Sequence, residues 1–302
     1  MTPRDLRGYG PRPPDIRWPS GAGLALNFVL NVEEGAEYTL AEDGRSESAL
    51  TEVRATRVPP GERDLAAESM YEYGSRVGFW RLFRLFRSRG IPVTIFASAL
   101  ALERNPAIAE AIAATDWDVC AHGWRWVEHY RLDPETEREH IDRAFASIRR
   151  TLGRAPRGWY CRYAPSPVTR TLVAAHGGFL YDSDAYNDDL PYWVEANGRP
   201  HLVVPYCMAT NDAKFLSGDV YDGGQYARFL ADTFDVLAEE GRTMPRMMSV
   251  GLHARVVGHP GRMAGLARFL DHVAGRPDVW ICSREAIAQH WCETVPAVKE
   301  LV

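Results

Sequence analysis

No run of apolar residues reaches the roughly 18 that a membrane-crossing helix needs, so no membrane span is expected. Basic charge is not in excess: 35 Lys and Arg stand against 40 Asp and Glu, a formal net charge of −5. Without a polybasic footprint, nucleic acid is not an expected partner. Cysteine is scarce and odd in number, with five in 302 residues, and so widely spread that no disulfide framework is expected. The thiols fit a reducing cytoplasm, where buried cysteine acts as a small apolar group. Residues 1–19 have no apolar core, so a secretory signal is not expected either. Internal repeats and low-complexity tracts are missing. No G-x-G-x-x-G follows the first apolar run, which removes the best-known signature of a dinucleotide-binding sheet.

What is present is ordinary globular material, 46% hydrophobic and 25% charged. The length suits two average domains, although α/β barrels of this size run as one. Residues 1–20, rich in Pro and Arg, read as an irregular arm. Residues 24–32 (LALNFVLNV) read as a buried strand, being apolar and short. Residues 35–75 are mostly polar, with a Pro59-Pro60-Gly61 turn signal. That is too long for a plain loop, so an inserted cap or assembly surface is expected there. Beyond it strands and helices alternate. Strands are expected at 91–96, 117–121, 158–162, 179–182, 202–205, 247–253 and 279–282. Helices are expected at 76–88, 107–114, 133–152, 225–240, 263–274 and 284–291. Asp133 and Pro134 mark the start of the clearest helix, and Gly153 its end. Such alternation predicts a mostly parallel sheet covered by helices, closed or nearly closed into a barrel. A doubly wound open sheet is the competing fold.

In barrels of this kind the chemistry gathers at the carboxyl ends of the strands. Those ends carry Asn31-Val32-Glu33-Glu34, Ala121-His122-Gly123-Trp124-Arg125-Trp126, Cys161-Arg162-Tyr163, Asp182-Ser183-Asp184 and Leu252-His253-Ala254-Arg255. Paired carboxylates raise one another's proton affinity, which suits acid–base work. An isolated Glu-Glu pair reads equally as solvated acids in a turn. His122 with a histidine four residues on would suggest a metal pair, but that position is Trp126, whose indole offers no lone pair. His129 would replace it only if its loop folded back. Arg162 and Asp184 read as an ion pair that steadies a carboxylate, or as an ordinary rim salt bridge.

Together these ends resemble the motifs of the polysaccharide deacetylase superfamily. The likeness covers nearly the whole chain. It includes the arm Arg4–Pro14 (RDLRGYGPRPP), LNFVLNVEEG at 26–35 and ESMYEYGSRVGFWRL at 68–82. It continues through AHGWRWVEHY, RGWYCRYAPSPVTR, GGFLYDSDAYNDDLPYW, Thr210–Asp212 and GLHARVVGHPGRM. In that superfamily the motifs sit at strand ends of a distorted (β/α)7 barrel, and an Asp-His-His triad holds a metal. The triad here becomes Glu34, His122 and Trp126, which resembles the metal-independent allantoinases of bacterial purine breakdown. The loop Cys161–Ser166 departs from that branch's Thr-Gly-Arg-Thr-Gly-Pro-like run, so another hydantoin, cyclic imide or small ureide competes with allantoin as substrate.

The resemblance implies a single barrel with its cap at 35–75, a cytoplasmic homotetramer, a small cyclic amide substrate and no cofactor. It implies Glu33 as base, held by Arg162 and supported by Asp184, with His253 as acid. Glu34, His122, Trp126, Tyr163 and Asp182 would contact substrate, and the roles of Glu33 and Glu34 are interchangeable at this level. Any residual zinc would belong at Glu34, His122 and Trp126. Rival readings are a cyclic imide hydrolase of the same fold, a metal-dependent N-deacetylase of amino-sugar polymers, and a catalytically empty scaffold. Aromatic residues between Tyr71 and Trp80 read as an assembly or substrate surface, and Cys161 as either a reactive or an inert thiol.

Overall fold

The structure, a computed structural model, describes residues 4–53 and 58–297. Its centre is β1 (Leu24–Val32), buried at all nine positions. One face is Leu24, Leu26, Phe28, Leu30 and Val32; on the other the Asn27 and Asn31 amides donate to the Met248 and Leu252 carbonyls of the adjacent strand. Eight further strands join one sheet: β2 (Thr94–Ala97), β3 (Asp118–Ala121), β4 (Gly158–Trp159), β5 (Tyr181–Asp182), β6 (Tyr192–Ala196), β7 (Arg199–Val203), β8 (Arg246–His253) and β9 (Val279–Ile281). The order is β6-β7-β5-β4-β3-β2-β1-β8, with β9 also on β1. Since β8 runs along Leu24–Asn31 on one edge of β1, β2 and β9 share the other edge, at Val29–Val32 and Leu24–Leu26. All pairings are parallel except β6–β7. The result is a curled, mostly parallel half-barrel, not a doubly wound open sheet, and its two end strands are not joined by a ladder.

A buried arginine spans the seam. Arg284, fully buried, donates to Asn27 Oδ1 on β1 (3.2 Å), Ser249 Oγ on β8 (2.7 Å) and Ser183 Oγ (2.9 Å) after β5. It also reaches the carbonyls of Val204 and Pro205, just past β7. A planar fork of donors suits such a set of separated oxygens.

The helix Pro134–Leu152 starts where expected, with the Asp133 carboxylate accepting from the N–H groups of Glu135 and Thr136. It buries Ile141, Ile148 and Leu152, while Phe145 stays half-buried. The expected helix 76–88 is instead a π-helical turn, Gly74–Gly78, leading into a helix at Phe79–Arg89. Contact explains the glycines: a Cβ at Gly78 would lie 2.0 Å from the Ala254 carbonyl oxygen, and one at Gly74 2.3 Å from Glu34 Oε1. Segment 35–75 contains helices at Leu40–Asp43 and Leu65–Tyr73 and is tied to the barrel by arginines. Arg125 grips Asp43 (2.6 Å), Arg262 grips Glu52 (2.5 Å) and Arg104 reaches Glu42. The described part of the arm, from Arg4, is anchored by Arg17 on the Gly241 and Arg242 carbonyls and by the buried Trp18. Tyr71 and Phe79 are buried, so this part of the expected aromatic surface is core. Among the described residues no helix is long and apolar enough to cross a membrane.

Candidate active site

The carboxyl ends of β1, β3 and β8 deliver Glu33, His122 and His253 to one cavity of about 290 Å³. Glu33, 1% exposed, is its most constrained group. Its Oε1 lies 3.0 Å from His122 Nε2 and 3.6 Å from His253 Nε2, and its Oε2 accepts from Arg255 Nη2 at 2.7 Å. Burial alone would raise this carboxyl, but Arg255, then His253 and His122, outweigh it and hold it below the usual range. Glu33 is therefore ionised at neutral pH.

His253 is set by Asp212, for which the sequence alone offers no role. Its carboxylate accepts from His253 Nδ1 (2.6 Å) and from the His253 and Val257 backbone N–H groups. Nε2 is thereby turned toward the cavity and Glu33. Burial lowers the His253 imidazole, yet Asp212 and then Glu33 more than compensate and raise it. His122 is oriented differently: its Nδ1 faces the Tyr160 carbonyl (3.1 Å) and its Nε2 faces Glu33 Oε1 (3.0 Å).

Several expected assignments are corrected. Arg162 does not hold Glu33. It binds Glu47 of the cap (2.5 Å) and the Trp126 carbonyl (3.2 Å), and its guanidinium lies 3.8 Å from the centre of the Trp126 ring. Arg255 takes the place at Glu33, reaches Glu34 at 3.1 Å and faces the Tyr71 ring at 4.4 Å. Glu34 points away from the cavity, into the space left by Gly74, and burial raises its carboxyl. On a strand end neighbouring side chains diverge, which is why only one of the pair enters the site.

Asp184 does not meet Arg162. It accepts from the Cys161 N–H (3.0 Å), and burial, then Asp182, push its carboxyl up to about 8. Asp182 lies behind the site, bound by Arg170 (2.7 Å) and His201 (2.9 Å), and does not line the cavity. Trp126 and Tyr163 do line it, the latter 67% exposed at the rim. His129 has not folded back; it pairs with Glu137 at 3.0 Å. Cys161 is buried, and burial raises its thiol, so it is the inert alternative. Tyr206 and Asn211 also face the cavity, linked to each other at 3.1 Å, and a Cβ at Gly251 would strike the Tyr206 hydroxyl at 2.1 Å.

A metal held as in the deacetylases does not fit these residues. Trp126 offers no lone pair, and its ring is covered by Arg162. His122 Nε2, the nitrogen a metal would need, is engaged by Glu33, and Glu34 is held by Arg255 instead. Among the described residues no group of three His, Cys, Asp or Glu side chains is arranged to hold a metal ion.

Comparison with known proteins places this geometry in context. A family model described as polysaccharide deacetylase matches residues 63–180. A Schizosaccharomyces pombe protein named a polysaccharide deacetylase is 38% identical, over 97% of this chain and 98% of its own. A Pseudomonas aeruginosa structure named a polysaccharide deacetylase has 46% identity and a TM-score of 0.94, covering 98% of this chain and all (100%) of that one. The structure of PuuE allantoinase has 44% identity and a TM-score of 0.95, covering 99% of this chain and 100% of that one. The half-barrel with its strand-end site, and relatives matched over nearly their full length, lead to one assignment: the chain belongs to the polysaccharide deacetylase family.

Proposed function

We propose that the protein is a hydrolase that opens a cyclic amide, an allantoinase-like reaction on allantoin, a hydantoin or a related ureide, by acid–base chemistry without a metal. The observation that carries this reading is Glu33 Oε1 between His122 Nε2 and His253 Nε2, at 3.0 and 3.6 Å, in a cavity of small-molecule size. The likeness to PuuE allantoinase supports it.

Glu33 takes a proton from water, and the oxygen attacks the ring carbonyl carbon. Arg255 keeps Glu33 ionised and aimed. As the carbon–nitrogen bond breaks, His253, protonated at Nε2 and oriented by Asp212, gives its proton to the leaving nitrogen. His122 helps to hold Glu33, Tyr206 is placed to bind ring oxygen or nitrogen, and Trp126 forms part of the cavity wall. A strained ring amide needs less polarisation than an acetamide, so acid–base groups suffice without a Lewis acid.

The test is incubation of chelator-treated protein with racemic allantoin and a panel of hydantoins and cyclic imides, followed by mass for the gain of one water. Turnover of one enantiomer, lost in Glu33→Gln, is the expected result. Relatives named deacetylases favour a second reading, removal of acetate from an N-acetylated sugar. Acetate release from chitin oligomers that depends on added zinc would replace the first reading with the second.

A further inference from the structure

Beyond Leu50 the catalytic cavity adjoins a second, wider one of about 460 Å³. Ala49, Leu50, Met208 and Ala213 line both, so these four residues form the boundary between them. Past it the groove runs along Val53 on the cap side and Leu216 on the barrel side.

The two walls differ. On the cap side the carbonyls of Ala49 and Leu50 are both fixed, by Tyr71 Oη (2.7 Å) and Arg255 Nε (3.2 Å). Leu50 adopts a left-handed φ of 50°, a conformation that a branched side chain takes only when its surroundings impose it. The constraint presents the Leu50 side chain to the boundary. Opposite stands Met208, 40% exposed and unbranched, a side chain able to adapt to differing shapes. Among the described residues one cation, Lys214, lines the groove, and it is engaged by Asp219 at 3.3 Å. Ser48, Thr51, Ser217 and Asp219 also line the groove, while Leu50, Val53, Met208 and Leu216 offer apolar contact, Leu50 and Met208 at the boundary itself.

We infer that this groove is a substrate subsite, and that the ring substrate carries an apolar substituent, aliphatic or aromatic, which passes between Leu50 and Met208. The inference rests on the ring-opening reading and names its substrate class. A ring bearing a ureido group, such as allantoin, would leave its polar atoms against this apolar boundary.

The test uses the purified full chain and hydantoins whose ring carbon bears hydrogen, methyl, isobutyl, benzyl or ureido. kcat/KM is expected to rise about four-fold per methylene up to isobutyl, and the isobutyl and benzyl rings to exceed the ureido ring. Val53→Glu and Met208→Glu, both at exposed positions (42% and 40%), should lower the isobutyl-to-unsubstituted ratio about ten-fold or more. Hydrolysis indifferent to substituent size, or fastest for the ureido ring, overturns the subsite and leaves the ring hydrolase standing. If no ring is hydrolysed, the ring-hydrolase reading fails. Calorimetric binding of the same series then decides the groove, and an affinity independent of the substituent overturns it.

Discussion

Three nitrogens surround one carboxylate at Glu33, and each has a different job in the proposed chemistry. Glu33→Gln removes the acceptor of the water's proton and should lower kcat about 10²- to 10⁴-fold with the fold intact by circular dichroism. His253 acts as an acid only while protonated, so the rate should fall as pH rises through its raised value. With Glu33 held low, the acid limb should lie well below neutrality. Asp212→Asn removes the main cause of the raised imidazole and should move the alkaline limb to lower pH; an unmoved limb would take the acid role from His253. Asp184 makes a prediction about stability. Its folded carboxyl, up to about 8, stays protonated where the unfolded chain's ionises. The stability it contributes is full below the unfolded value near 4 and is lost as pH rises to about 8. Asp184→Asn keeps an acceptor for the Cys161 N–H and should raise the melting temperature at pH 8 by about 2–4 °C, with no gain at pH 4. An equal shift at both pH values would refute this.

At the scale of elements, patterns confined to neighbouring residues were legible and pairings across the fold were not. The sequence predicts β1 with its observed bounds and the Asp133-capped helix to within one residue, because an apolar run and a capping residue are local signals. The β6–β7 hairpin escaped, although Asn197-Gly198, both with positive φ, is a strong turn pair. The helix Ala99–Arg104 escaped too, being too short to show a period, and so did Thr169–His176. Glu33, His122, Trp126 and His253 were found at strand ends. Arg255, given no role by the sequence, takes the part expected of Arg162 because direction beyond a strand end depends on the cap packed above it. Glu47, which holds Arg162, had no signal in the sequence at all. The π-helical turn that follows the cap rests on loop 254–258 through Gly78. Gly78→Ala drives a methyl into the Ala254 carbonyl and should cost about 2 kcal/mol or more in denaturant unfolding. It should also lower kcat, because the displaced loop carries Arg255.

At the scale of the molecule, Arg284 closes what the sheet leaves open. Arg284→Ala strands buried oxygens from four separate segments and should destabilise by about 3–5 kcal/mol, measured as a lower urea midpoint. Arg284→Lys should recover little, since one ammonium cannot span the set. The position of β1 between the earliest and latest strands sets the order of events during synthesis. This apolar strand emerges first, but its longest neighbour, β8, ends at His253, and the residue that closes the seam follows at 284. A ribosome will have released most of the chain before its central strand is flanked on both edges. The nascent protein should therefore be a holdase client, with its yield limited by chaperone supply more than by the stability of the finished barrel.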